Sequence, residues 1–358
     1  MATPYTEILT SHDLTVEQWD AMIAQEYLSM LWFKNLMGPS QFAPIQVKLD
    51  LMKGAGDAIT IGLRSQLQGG RVDGSQKGAG QEGRVAFYGQ RLTIEEVRHL
   101  VKFERVNMSQ KRVAWDVLNQ GREALVEKAE IALEEDIIAA LGVVTTGRVQ
   151  GRYLYGSLNA NYNATHATAL QSVDNTDDKL TTNMIRIAKR KALIPVGATA
   201  KIRPMRVKVG MNFEEWFVFV GHPYSVRDLV DHDAAYRNAQ LLLPPNANRE
   251  SPLFTGNSFK GNYDGVLIYE YDRVELIAST IQVSHNHLLG AQAAAVCWGQ
   301  MPKFGEDHGE FDLGHDKVYE IDEIRGVEKI VYNRAADDAA ITNEDNGQIH
   351  VFAAAVAD

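Results

Sequence analysis

GAGDAITIGLRSQLQGGRVDGSQKGAGQEGRVAFYGQRLTI, residues 54–94, is the stretch on which the fold turns. From Gly54 to Gly83 it holds nine of the chain's 29 glycines and no aromatic residue. Ahead of the glycine-rich centre, Ile59, Ile61 and Leu63 alternate with smaller or polar residues; behind it, Val85, Phe87 and Arg91–Ile94 do something similar. Period-two alternation on both sides of a polar segment predicts a long antiparallel hairpin. Between Arg64 and Arg84 the only sizeable aliphatic residues are Leu67 and Val72. Such a tip cannot bury itself, so it is either mobile or ordered by a partner. Gly78-Ala-Gly80-Gln-Glu-Gly83 spells GxGxxG, but a strand is expected after it at Val85–Tyr88. Without a helix N-terminus for a pyrophosphate, the spelling is read as a flexible loop.

Downstream, Met108–Leu141 carries Leu118, Leu125, Ala129, Leu133, Ile137 and Leu141 at three-, four- and seven-residue steps. That spacing predicts one continuous helix, capped by Asn107 or Ser109 and ended by Gly142, with Gly121 as a tolerated weak point. At 1.5 Å per residue it would be a strut of roughly 50 Å. Upstream, residues 1–44 read as an arm. Leu14–Leu31 is its helix, capped by Ser11 or Asp13, and it packs on its own domain or on a neighbouring subunit. A further helix is expected at about Lys179–Leu193 and a short one at Arg227–Gln240. Strands are expected at Ala200–Val209, Glu215–Val220, Val266–Tyr271, Val274–Ile281, Val318–Ile324, Lys329–Tyr332 and Gln348–Ala353. Residues 288–298 are small and apolar, as a tightly packed helix or buried segment would be.

The 358 residues, 45% hydrophobic and 23% charged, describe two or three globular units and exclude a disordered chain. A formal net charge of −10 argues against a protein whose main task is gripping nucleic acid. The single cysteine, Cys297, excludes an intrachain disulfide or a CxxC metal ribbon and fits a reducing compartment. The first Lys or Arg is Lys34 and the leading residues are polar, so no secretory leader is expected, and no apolar run approaches the ~18 residues of a membrane span. GxxxxGK[ST], GxSxG and HExxH are all absent from the sequence.

Two patterns look like chemistry. His285, His287, Glu306, Asp307, His308, His315 and Asp316 crowd the C-terminal third, and a metal-dependent enzyme using His285, His287 and His315 is the rival reading. Against it, nothing in the sequence constrains their geometry, so no metal is expected and a chelator should leave the unfolding midpoint unchanged. The second pattern is charge segregation. From Lys179 to Phe213 there is no acid, whereas Glu306–Asp345 is acid-rich. The basic run could contact nucleic acid, be a solvated face, or be half of a charge-matched protein interface; the two stretches are expected to face each other, within or between subunits.

Arm, glycine-rich hairpin, strut helix and compact remainder, without a catalytic constellation, describe a building block. Phe219-Val-Gly-His-Pro-Tyr-Ser-Val-Arg-Asp-Leu229, Phe254-Thr-Gly, Gly261-Asn-Tyr-Asp-Gly-Val266 and Leu288-Leu-Gly-Ala-Gln-Ala293 resemble segments of the major capsid proteins of N4-like tailed bacteriophages. So do Asp312-Leu-Gly-His315, Ile324-Arg-Gly-Val-Glu-Lys329, Lys53-Gly-Ala-Gly-Asp57 and the 90–142 region. The resemblance implies an α+β chain with the Hong Kong 97-type (HK97-like) capsid fold. Residues 1–44 would be the N-terminal arm, 45–107 the extended-loop hairpin and 108–178 the peripheral domain, with its spine helix at 108–142. Residues 179–305 would form the axial domain, and 306–358 would return to the peripheral domain as C-terminal strands. It implies a structural subunit, not an enzyme, that assembles with itself into hexameric and pentameric capsomers of an icosahedral virion. Scaffold, portal and decoration proteins are further implied partners, with packaged DNA enclosed without tight binding, no cofactor and no membrane. Assembly would take place in the host bacterial cytoplasm. Assembly-contact candidates are Arg64, Arg71, Lys77 and Arg84 on the hairpin, with Arg186, Lys189, Arg190 and Lys191 on the basic run; Lys77 is also the position at which some relatives' cross-linking chemistry would fall.

Overall fold

The computed structural model describes residues 26–357 apart from 54–55, 65–72, 75–79, 81–86, 115, 146–148, 195–199, 210–211, 243–257, 308–315 and 333–342. Most of the expected arm helix, residues 14–25, lies outside the described residues. The described part of the arm, beginning with a helical turn at 26–30, packs on its own chain. Tyr27, Leu31, Phe33 and Leu36 are buried there, Trp32 N donates to Glu134 Oε1 at 2.6 Å, and Arg122 pairs with Glu26 at 3.2 Å.

The chain continues through β1 (Met37–Gly38) and β2 (Ile45–Lys48) into the hairpin, β3 (Ala58–Arg64) and β4 (Phe87–Thr93). Register runs from Ala58 opposite Thr93 to Arg64 opposite Phe87, as the alternation predicts. The hairpin is narrower than 45–107, because β2 and β5 (Glu95–Phe103) join a sheet in the body. Two helices come next instead of one: α1 (Val106–Arg112) and α2 (Val117–Gly142). Asp116 explains the break. Its Oδ1 accepts from Leu118 N at 3.1 Å and Asn119 N at 3.3 Å, so it caps a new helix in place of Asn107 or Ser109. The strut is therefore 26 residues, about 39 Å. Gly121 has a role beyond tolerance, because a Cβ there would lie 1.8 Å from the Phe103 ring. Leu125, Ala129, Leu133, Ile137 and Leu141 are buried on one face, each large aliphatic burial stabilising by about 1.5–3 kcal/mol at most.

The remaining elements are β6 (Tyr153–Tyr155), α3 (His166–Gln171), α4 (Thr182–Leu193), β7 (Met205–Val209), β8 (Asn212–Gly221), α5 (Pro223–His232) and α6 (Ala234–Leu242). Then come β9 (Phe259–Tyr263), β10 (Val266–Glu270), β11 (Leu276–Ala278), β12 (Gln282–Leu289), β13 (Ala294–Asp307), β14 (Lys317–Lys329), β15 (Val331–Tyr332), β16 (Glu344–Asp345) and β17 (Gln348–Ala354). The expected helix at 227–240 is two helices, separated at Asp233, whose Oδ1 accepts from Ala235 N and Tyr236 N. Residues 288–298 are strand, turn and strand. Both faces are covered there, so the sequence shows no alternation.

Two sheets organise these strands. A five-stranded sheet runs β1-β2-β13-β14-β5 and shares a core with α2 and residues 27–36. An eight-stranded sheet runs β6-β17-β12-β8-β10-β9, with β11 on β12 and β7 on β8. Helices α4, α5 and α6 cover it through Met184, Ile185, Leu229 and Tyr236. This sheet takes β6 and β17 from outside residues 179–305, while β13, largely within that range, belongs to the other sheet. The 306–358 segment is thus divided between the two sheets instead of returning as one.

Candidate functional site

The hairpin base is held by the body. Ile59, Ile61 and Leu92 bury against Ala295, Cys297 and Ile330. Gln90 clamps the junction of β14 and β15, donating from Nε2 to Lys329 O at 2.7 Å and accepting from Val331 N at 2.6 Å. A Cβ on Gly326 would stand 1.9 Å from Thr93 O, so only glycine lets the backbones meet there. Beyond the base, the hairpin leaves the core: Phe87 is 77% exposed. Arg64 ends β3 at the root of the tip, whereas Arg71, Lys77 and Arg84 lie outside the described residues.

The four contact candidates of the basic run lie on α4, capped by Thr181, whose Oγ1 accepts from Met184 N at 3.5 Å. Arg186 and Arg190 are exposed. Lys189 pairs with Asp264 at 3.2 Å and also donates to its carbonyl. Lys191 turns inward, donating to Gln150 O at 3.1 Å and Tyr153 O at 2.8 Å. Burial pushes its pKa down to about 8. Its ammonium thus serves the fold, which corrects its place among surface contacts. Beside it, Leu158 (59% exposed) and Ile194 (64%) flank Arg190 in a shallow groove of about 500 Å³.

Among the described residues, the acid-rich stretch meets this run at the backbone, where Glu344 accepts from Ala200 N at 2.8 Å, and finds its cations on other elements. Glu320 pairs with Arg98 at 2.6 Å, Asp316 with Lys102 at 3.0 Å, Glu306 with Lys317 at 2.8 Å and Asp345 with Lys329 at 2.7 Å. Arg325 bridges Glu323 and Asp136. The basic run finds its carboxylates elsewhere: Arg206 on Glu215 and Lys189 on Asp264. The reason is topological. β14 lies between β13 and β5 in one sheet, whereas α4 covers the other. Of the two arrangements expected, within or between subunits, the ion pairs described inside one subunit do not supply the first.

Histidines converge at a different place from the expected one. His315 lies outside the described residues; His350, which no sequence motif singles out, joins His285 and His287. All three are fully buried on β12 and β17. Burial, reinforced by neighbouring imidazoles and Lys329, holds His285 and His287 well below the ordinary histidine range. Gln348 Nε2 lies 2.8 Å from His287 Nδ1 and donates to Leu141 O at 2.8 Å, while Tyr153 stacks on His350 at 4.5 Å. The signal was a second alternation, Gln348-x-His350-x-Phe352, whose pairing with His285-x-His287 is non-local.

Cys297 is fully buried, and desolvation pushes its thiol up to about 11. A thiol reagent is expected to leave the folded chain unlabelled and to react fully in denaturant; rapid labelling of the native protein would contradict the packing of Cys297 against Ile59, Ile61 and Leu92.

Comparison with known proteins gives a consistent picture. The profile of a family described as phage capsid protein matches residues 8–357. The capsid asymmetric unit of cyanophage Pam1 superposes with a TM-score of 0.74 at 24% identity, covering 91% of this chain and 92% of that one. The capsid of Ralstonia phage GP4 gives 0.73 at 21% identity, with the same coverage. The capsid of Helicobacter pylori bacteriophage KHP30 gives 0.68 at 13%, covering 89% of each chain. These likenesses show the HK97-like fold. No curated protein matches the chain in sequence.

Proposed function

The chain belongs to the phage capsid protein family, and from that premise we propose that it is the repeating major subunit of an icosahedral head enclosing the double-stranded DNA of a tailed phage of the N4-like group. The observation that carries this reading is the family match over 350 consecutive residues, 8–357. The geometry supports it. A hairpin anchored at its base and exposing Phe87 beyond it is suited to lie over a neighbour, and the groove beside Arg190 offers a second contact. In this reading the five-stranded sheet with α2 is the peripheral part and the eight-stranded sheet the axial part. Arg64, Arg71, Lys77 and Arg84 reach the neighbour from the hairpin, and Arg186, Lys189 and Arg190 from α4. The subunit's partners are its own copies in hexameric and pentameric capsomers, with scaffold, portal and decoration proteins; it assembles in the host cytoplasm and performs no catalysis. An enzyme built on His285, His287 and His315 gains no support, since the imidazoles at 285 and 287 are fully enclosed.

Charge supplies a test. With a net −10, the subunit can hold DNA without adhering to it, and Arg186 and Arg190 then serve contacts with acidic surfaces of neighbouring copies. Each exposed pair contributes only ~0–1 kcal/mol, so the effect comes from repetition over many identical contacts. Arg186→Glu with Arg190→Glu is expected to impair or misdirect assembly while the monomer unfolds as before. DNA retention on a filter at about 0.15 M ionic strength is expected to be low before and after. Tight, salt-sensitive retention by the unmodified chain, lost on reversal, would assign α4 to nucleic-acid binding instead.

A further inference from the structure

Strands β12 and β17 pair antiparallel, with His287 opposite His350 and His285 opposite Phe352. Side chains alternate along a strand, so His285, His287, Gln348 and His350 share one face. The three imidazoles are fully buried, and each offers a nitrogen within 4.8 Å of the other two. His285 Nε2 and His350 Nδ1 stand 2.7 Å apart. The other nitrogen of each looks outward at a carboxylate: His285 Nδ1 at Glu275 Oε2, 3.3 Å, and His350 Nε2 at Asp345 Oδ2, 3.2 Å.

A carboxylate can only accept, so with both contacts made the outward nitrogens carry the protons. The inward nitrogens then turn lone pairs toward each other, an arrangement that calls for a cation between them. His287 stands beside the pair. Gln348 Nε2 faces its Nδ1 at 2.8 Å and His350 Nδ1 at 3.5 Å, so this amide donates to the lone pairs that a cation would take; turning it to present Oε1, which has no hydrogen-bond partner, frees both nitrogens. We propose that His285, His287 and His350 are the protein ligands of a transition-metal ion of the zinc class, enclosed between the eight-stranded sheet and the end of α2. Imidazole nitrogens suit this class, and the outward carboxylates fix ring orientation as carboxylate–histidine–metal arrangements do.

The fit is close. Tetrahedral zinc with 2.0–2.1 Å bonds needs nitrogens about 3.4 Å apart, so the His285–His350 pair would open by about 0.7 Å. Gln348 Oε1 or a water would complete four ligands. The end of α2, whose Leu141 carbonyl already meets Gln348, adds a negative helix terminus. Lys329 opposes the ion and already neutralises Asp345, so the affinity must come from the imidazoles. Glu275, its side chain 56% exposed, marks the route inward. Along the sequence the histidines lack constrained geometry, which is why no metal is expected from it; cross-strand register supplies that constraint.

The test uses the full chain and does not depend on shell formation. Protein expressed with zinc in the medium is expected to keep about one ion per chain through dialysis, and cobalt in its place to give the intense visible band of a tetrahedral site. A strong chelator should lower the unfolding midpoint by about 3–5 °C. His350→Gln should reduce the bound ion to a small fraction of one, whereas His232→Gln, at the exposed end of α5, should retain it. If His350→Gln does not fold, the unmodified chain decides alone. No retained ion and no cobalt band would overturn the proposal, leaving a hydrogen-bonded imidazole pair. Full metal content in a folded His350→Gln chain would overturn the ligand assignment.

Discussion

Excising Leu67–Gly80 and closing the hairpin with a short turn is expected to abolish shell formation while changing subunit stability by less than ~1 kcal/mol. The two halves of that expectation have different causes. Within the excised segment only Leu67 and Val72 are sizeable aliphatic residues, and a fully buried Leu or Val would each contribute about 1.5–3 kcal/mol. A segment so poor in apolar surface adds little to the monomer. The anchoring contacts, Ile59, Ile61, Leu92 and the Gln90 clamp, all lie outside the excision and survive it. What is lost is reach toward a neighbour. Denaturant unfolding should therefore give nearly the same midpoint, while sedimentation and electron microscopy should show subunits that no longer close. Closed shells of normal size from the trimmed chain would remove the hairpin from assembly.

The largest effect on the monomer is expected at Arg152. Its Nη2 meets Glu344 Oε1 at 2.5 Å with both side chains essentially fully buried, and it donates to Ala200 O at 2.6 Å. Glu344 Oε1 also accepts from Ala200 N at 2.8 Å. The pair thus ties the segment before β6 and the approach to β7 to β16. Burying two charges is costly, and their attraction returns that cost only while both remain. Arg152→Ala leaves a carboxylate enclosed without its cation, at an expected loss of about 3–5 kcal/mol. Against a typical total of about 5–15 kcal/mol, that is enough to make the chain poorly soluble. Arg152→Met combined with Glu344→Leu should recover part of the loss, since no charge is then buried; Ala200 would still lack partners for its N–H and C=O, each at about 1–3 kcal/mol. A change under ~1 kcal/mol for Arg152→Ala would show that the pair is open to water.

Much of this architecture is legible in the sequence, because it is carried by local periodicity. The hairpin strands were legible from Ile59, Ile61 and Leu63 on one side and Phe87 on the other. The face of α2 was legible from Leu125 through Leu141. Capping was not, since Asp116 comes after a helical stretch whose apolar spacing continues across the break, and only its hydrogen bonds reveal a new start. Residues 288–298 were ambiguous for a different reason: a segment covered on both faces has no polar side to set a period. The acid-rich stretch misled because charge sums ignore which sheet a strand enters. Glu320 and Asp316 meet Arg98 and Lys102 on the adjacent β5. His350 went unseen because its closeness to His285 and His287 depends on pairing across more than 60 residues, and composition holds no trace of that register.

Electron microscopy of the concentrated, purified full-length chain tests the central claim most directly. A capsid subunit of this fold should give closed shells or uniform ring-shaped capsomers, with subunits ordered over one another through the hairpin rooted at Arg64 and Phe87. Dispersed single subunits at every concentration and ionic strength, with no regular assembly, would contradict it.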